Sequence, residues 1–299
     1  MLTVLGIFAI LFVAAIVFVV VQVNTLLSPE VRRERTVDEL VERGVPRPRA
    51  HDIPFSTATL RAYATADAFD RERPLVVFVH GSPGDWTDFV NQLADPELRQ
   101  AARLVSMDRP GYGGSDFGDP EASLRRHAAA VVAVVDHFGA PSQGAVLVGH
   151  SMGGPIVARV AMDSGERVAA VVSVAGSADP SLEPTHWYQE VAAWSWVRPL
   201  LPAMLDVCNQ ELLPHRAELR AMADRWSSIR CPVFVVQGGE DVLVPAANAD
   251  FIAARVPSDL LRMRVDPSMN HFVPWSHPER MRDAILDALA AGQGLRHAG

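Results

Sequence analysis

The chain has 299 residues, 49% of them hydrophobic, and a formal net charge of -8, enough for one large α/β domain or a domain carrying an insertion. The acidic balance excludes nucleic acid as a partner, because phosphate binding needs clustered basic charge. All 27 basic residues are arginine, which removes lysine-dependent chemistry: the P-loop, the Schiff base and the Ser-Lys dyad.

The stretch "LTVLGIFAILFVAAIVFVVV" from Leu2 to Val21 carries no charged residue. About 20 residues at 1.5 Å rise match a hydrocarbon core of about 30 Å, so residues 1–27 are expected to form an N-terminal membrane span. A cleaved signal peptide would start basic and have a shorter apolar region, about 7–15 residues. Arg32, Arg33 and Arg35 follow the run while no basic side chain precedes it, which places the remainder on the cytoplasmic side. Residues 28–50 are charged, end at Pro46 and Pro48, and read as a juxtamembrane helix and linker. A single folded domain is expected over residues 51–299.

That domain opens at 51–65 with rough period-two alternation, a strand or hairpin. Short β-branched runs follow at 74–81, 102–108, 144–150, 168–176, 231–239 and 260–266, most of them continuously apolar, as strands buried on both faces are. Helical patterns lie at 121–139, 152–165, 246–256 and 278–292. The alternation predicts a doubly wound, mostly parallel α/β sheet, whose reactive residues collect beyond the carboxyl ends of its strands. Residues 177–228 are too long for an ordinary connection and read as an inserted lid. The lid holds Trp187, Trp194, Trp196 and Trp226. These indoles are expected either to roof an apolar pocket or to pack the lid onto the body.

In "GHSMGG", Ser151 sits between a strand and a helix with glycines two before and two after it. Such a corner lifts the hydroxyl clear of the sheet and turns the Met152 amide toward charge developing above it. A serine hydroxyl needs a base, and the base needs an orienting acid. In the order serine, acid, histidine, Asp241 in "QGGEDVLVP" and His271 in "DPSMNHFVP" follow the last two strands. Asp179 and Asp266 are substitutes for the acid, His277 for the base, and Glu240 is expected to point elsewhere. Ser82 in "HGSPGDW" is expected to supply the second oxyanion amide beside Met152, with His80 bracing that loop. Asp108 and Arg109 in "DRPGYGGSD" could pair with each other. Cys208 and Cys231 lie in no CxxC and near no histidine cluster, so neither a metal site nor a disulfide framework is indicated.

"HGSPGDW", "DRPGYGGSD", "GHSMGG", "GGEDVLVP" and "NHF" occur in an order and spacing that resemble the α/β-hydrolase superfamily. The resemblance implies an eight-stranded, lidded hydrolase of esters, thioesters or amides that needs no cofactor. Haloalkane dehalogenases and epoxide hydrolases carry aspartate at the elbow, and Ser151 argues against both. The oxyanion loop is similar to that of proline iminopeptidases, while the lid and tether look more like carboxylesterases or acylglycerol lipases. The expected activity is a membrane-anchored serine esterase of apolar, lipid-like substrates working through an acyl-enzyme. The alternatives are an aminopeptidase, an acyltransferase, a cofactor-free perhydrolase, or a binding protein without turnover.

Overall fold

The computed structural model describes residues 22, 25, 28–64, 69–142 and 144–294. The span expected over residues 1–27 lies outside the described residues, positions 22 and 25 excepted. Among the described residues no helix is long and apolar enough to cross a membrane.

Ser28 opens α1 (Pro29–Glu42): its hydroxyl accepts from the Val31 amide, and proline fills the first turn, where no amide hydrogen is needed. The segment read as a juxtamembrane helix and linker is therefore packed onto the body, with Val37 and Leu40 of α1 and Val45 beyond it buried in the core. An antiparallel hairpin follows, β1 (Arg49–Phe55) and β2 (Ala58–Ala64), with Phe55 opposite Ala58. The alternating apolar pattern at 51–65 is this hairpin. Then come β3 (Leu75–Val79), α2 (Val90–Ala94), α3 (Pro96–Ala101), β4 (Arg103–Met107), α4 (Leu124–Phe138), β5 (Ala145–His150), α5 (Gly153–Asp163) and β6 (Val168–Val174). The inserted lid carries α6 (Trp187–Ala192) and α7 (Ala203–Met222), and the chain closes with β7 (Val233–Gly238), α8 (Ala247–Ala253), β8 (Leu261–Asp266), α9 (Val273–Ser276) and α10 (Pro278–Gly294).

Among the described residues eight strands form one sheet in the order β1-β2-β4-β3-β5-β6-β7-β8. The pairings of β1 with β2 and β2 with β4 are antiparallel; β3 through β8 run parallel. Helices cover both faces. Val76 and Phe78 of β3 pack in the core shared by α1, α3 and α10, while Leu75, Val77 and Val79 pack in the core shared by α4, α5 and α8. Strands sandwiched in this way have no solvent face, which is why they read as unbroken apolar runs rather than alternating ones. The short α2 and α3 have no counterpart in the sequence pattern, because neither offers enough turns to show a helical period. With β3 and β5 to β8 parallel, the loops leaving β3, β5, β7 and β8 emerge together at one edge, and every expected active-site residue lies on one of them.

Candidate active site

Ser151 adopts φ 54°, a left-handed conformation that costs a non-glycine residue about 1–3 kcal/mol and is held by its surroundings. Those surroundings are backbone. The Ser151 amide donates to the Val174 carbonyl of β6 and the Gly154 amide donates to the Ser151 carbonyl, both at 2.9 Å. A Cβ on Gly149 would lie 2.1 Å from the Gly153 carbonyl oxygen, and one on Gly153 would lie 2.2 Å from that of Val79. The two glycines flanking the serine are therefore required by strand-to-helix contact. The main chain after β3 presses on the same corner: a Cβ on Gly81 would stand 2.9 Å from the Ser151 Cβ.

The imidazole of His271 donates from Nδ1 to Asp241 Oδ2 at 2.8 Å, with both residues buried. Asp241 is itself held by three further donors: the amides of Leu243 (2.9 Å) and Val244 (2.7 Å) on Oδ1 and Gln237 Nε2 (3.3 Å) on Oδ2. With Nδ1 committed to the carboxylate, Nε2 keeps its lone pair, and it has no hydrogen bond among the described residues. Ser151 Oγ likewise makes none, and no direct serine-to-imidazole bond is present. Ser151, Met152, Ser82 and His271 all line one cavity of about 460 Å³, a volume suited to a small or medium substrate. The substitutes take other roles: Asp179 bonds Ser181, Asp266 bonds Ser268, His277 bonds Ser276, and Glu240 faces solvent.

His150, to which the sequence assigned no role, joins the two halves of the site. Its Nε2 donates to the His271 carbonyl at 2.9 Å, and the two rings lie 4.9 Å apart. Burial, and then the neighbouring His271, bring the His150 pKa from 6.5 down to about 3, so the ring is a neutral strut.

The amides of Ser82 and Met152 have no acceptor among the described residues. Arg109 explains how the first is aimed. Its Nη2 donates to the Gly81 carbonyl (2.8 Å) and its Nε to the His80 carbonyl (3.1 Å). In a trans peptide the N–H opposes the C=O, so drawing the Gly81 oxygen toward Arg109 turns the Ser82 N–H away from it. His80 does brace this loop, accepting from the Arg109 amide at Nε2 (3.0 Å).

Arg109 does not pair with Asp108, as the sequence suggested. Asp108 accepts from the Trp86 and Gly114 amides, whereas Arg109 forms a buried two-pronged ion pair with Glu211 of α7, at 2.8 and 3.1 Å. Glu211 also accepts from Ser82 Oγ (2.7 Å) and Tyr112 Oη (2.8 Å) and contacts His127 Nε2 (2.9 Å). Burial alone would raise the Glu211 pKa, but the Arg109 charge and the His127 and Arg109 hydrogen bonds outweigh it and hold the carboxyl well below its usual range. A lid helix thus clamps the loop that follows β3. Four residues on, His215 of α7 bonds Ser177 Oγ at 2.8 Å, and both line the cavity.

Of the two roles expected for the lid tryptophans, Trp226 takes the packing one, fully buried in the body's core, while Trp187, Trp194 and Trp196 take neither: they are exposed, and none lines the cavity. The lid-side wall is instead polar and apolar by turns, with Leu182, Glu183, His186, Tyr188, Gln189, Leu212 and His215. Both cysteines are free and buried, and among the described residues no cluster of three or more His, Cys, Asp or Glu could hold a metal ion.

Residues 76–284 match the model of the alpha/beta hydrolase family. RutD of Escherichia coli, named for carbamate hydrolysis, is 25% identical over a 260-residue alignment that takes in 74% of this chain and 92% of the relative. Among solved structures, a hydrolase from Pseudomonas aeruginosa superposes with TM-score 0.62 at 20% identity, covering 81% of this chain and 98% of that one. A bacterial membrane phospholipase A superposes with TM-score 0.62 at 16% identity, covering 97% of this chain and 98% of that one.

Proposed function

The chain belongs to the alpha/beta hydrolase family, and from that premise we propose that it is a serine hydrolase of carboxylic esters, working through an acyl-enzyme. The observation that carries the reading is the buried His271–Asp241 pair, whose free Nε2 shares a cavity with the strained Ser151. Ser151 Oγ attacks the acyl carbonyl while His271 Nε2 takes its proton. The Ser82 and Met152 amides receive the oxyanion. As the tetrahedral intermediate collapses, His271 returns the proton to the departing alkoxide, and Ser151 keeps the acyl group. Water, deprotonated by the same imidazole, then releases the acid.

The decisive experiment is labelling with a fluorophosphonate, which should modify Ser151 in the native chain and not in Ser151→Ala. The variant should also lose roughly 10⁶-fold in kcat. Retained esterase activity would reject the assignment.

Residues 1–27 supply a membrane tether in this reading, and the arginines that follow favour a cytoplasmic hydrolase domain. One observation favours a second reading, an aminopeptidase. Glu183 lines the cavity without an ionic partner among the described residues, and burial raises its pKa from 4.5 to about 7. A substrate ammonium would satisfy that carboxylate. Comparing p-nitrophenyl esters with aminoacyl p-nitroanilides, before and after Glu183→Gln, separates the two.

A further inference from the structure

The lid exposes what a water-soluble surface ordinarily hides. Trp187 is 76% exposed, Trp196 66%, Trp194 49%, Leu200 51% and Leu205 42%. The Trp194 and Trp196 rings adjoin at 5.5 Å and share one patch, while the Trp187 ring meets that of Tyr188 edge-on at 6.1 Å. Between residues 187 and 205 the only charged side chains are Glu190 and Arg198, and Arg198 is neutralised by Asp206 at 2.9 Å. A large contiguous apolar patch marks an interaction surface.

The partner follows from where the chain enters the fold. Arg32, in the first turn of α1, reaches the lid directly: Nη1 lies 3.9 Å from Met204 Sδ, and its guanidinium is anchored by Asp85 (3.2 Å) and Asp88 (2.9 Å). Val21, the last residue of the uncharged apolar run, is eight residues before Pro29. Even fully extended, those residues reach at most about 28 Å. A bilayer holding that run therefore lies within about 28 Å of Pro29, at the end of α1 that contacts the lid through Arg32 and Met204. Indole, apolar in body with one polar N–H, is the side chain suited to headgroup depth.

We propose that the outer face of the lid, residues 187–205, docks on the lipid bilayer and opens the catalytic cavity toward lipid. Trp187 lies between His186 and Tyr188, which both line the cavity, so seating the indole sets the cavity mouth at the headgroups. The substrate class is then an amphiphilic ester presented from the membrane, its acyl chain entering past Leu182 and Leu212. This proposal rests on the membrane-anchored reading and adds a second, separable contact to it.

The test uses the full chain reconstituted in phosphatidylcholine vesicles, with flotation to establish anchoring and tryptophan quenching to establish docking. Phosphatidylcholine brominated close to the headgroup should quench the fluorescence more than the same lipid brominated near the chain ends. Trp187→Ser/Trp194→Ser/Trp196→Ser should remove most of that quenching. The variant should still cleave a soluble short-chain ester normally, since none of the three lines the cavity, and should lose activity on a long-chain ester embedded in vesicles. Protein that floats with unquenched fluorescence, the result if a second copy covers this face, overturns docking and leaves anchoring in place. Protein that does not float overturns both. The wild-type quenching decides the matter even if the triple variant fails to fold.

Discussion

Replacing Glu211 by glutamine tests whether the lid holds the loop after β3, proposed above to supply an oxyanion amide, through a buried charge. The carboxylate and the Arg109 guanidinium are both fully buried and bonded through two prongs. Glutamine keeps the volume but leaves Arg109 uncompensated, a loss of about 3–5 kcal/mol for a buried pair broken on one side. At roughly 2–4 °C per kcal/mol for a large domain, the melting temperature should fall by about 6–20 °C. Two of the Arg109 hydrogen bonds fix the His80 and Gly81 carbonyls, and Ser82 Oγ bonds Glu211 itself. The Ser82 amide should therefore lose its aim, and kcat should drop by about 10²–10³, the usual effect of one lost oxyanion donor. KM should change far less, because the oxyanion exists only in the transition state. The assays are thermal unfolding followed by circular dichroism and steady-state hydrolysis of a p-nitrophenyl ester. A companion variant, Arg109→Met/Glu211→Leu, removes both charges and should recover much of the stability but little of the kcat. The reasoning fails if Glu211→Gln melts within about 2 °C of wild type, or if the double variant is destabilised by the sum of the single losses.

Asp241→Asn should leave the fold intact and lower kcat by about 10⁴, because an amide hydrogen-bonded at this position stabilises the wrong imidazole tautomer; melting curves and ester kinetics check both halves of the statement. Gly149→Ala drives a Cβ to 2.1 Å from the Gly153 carbonyl, so the elbow must shift, at a cost of about 1–3 kcal/mol. Fluorophosphonate labelling of Ser151 should slow markedly in that variant, and unchanged labelling would count against the close approach. His215 is kept neutral mainly by burial, which brings its pKa from 6.5 to about 4. Between those values the unfolded chain binds a proton that the folded chain does not, so this group's contribution is intact above pH 6.5 and falls as the solution is acidified. The slope is about 1.4 kcal/mol per pH unit, about 3 kcal/mol in all. Urea unfolding at pH 7 and pH 5 should show His215→Gln losing about 2 kcal/mol less than wild type over that interval; equal losses would refute the burial argument.

Much of the molecule could be read from neighbouring residues alone. Of the six parallel strands, β3 to β7 are buried along their whole length and announced themselves through their largely apolar runs, whereas β8, half exposed and carrying Arg262 and Arg264, was legible mainly by its place after β7. The elbow announced itself because a left-handed serine between strand and helix leaves room for nothing larger than glycine at 149 and 153. Asp241 and His271 were reachable by the same logic, since parallel strands deliver their following loops to one edge. Each of these signals is local: backbone conformation, periodicity or position after a strand.

What the sequence could not decide is which distant side chains meet. Asp108 and Arg109 looked like a pair because they are adjacent, yet successive residues leaving a strand point to opposite sides. One caps the Trp86 and Gly114 amides while the other crosses to Glu211. Nothing in "NQELLPHR" marks Glu211 as the anchor of the loop after β3, nor does the histidine before Ser151 reveal that it grips the His271 carbonyl. The lid tryptophans are legible as residues but not as to which way they face. Whether an indole roofs a cavity, fills a core or stands in solvent depends on how the insert sits on the body. That placement is set by contacts between residues some hundred positions apart, and the energy of such contacts exists only once the chain has folded.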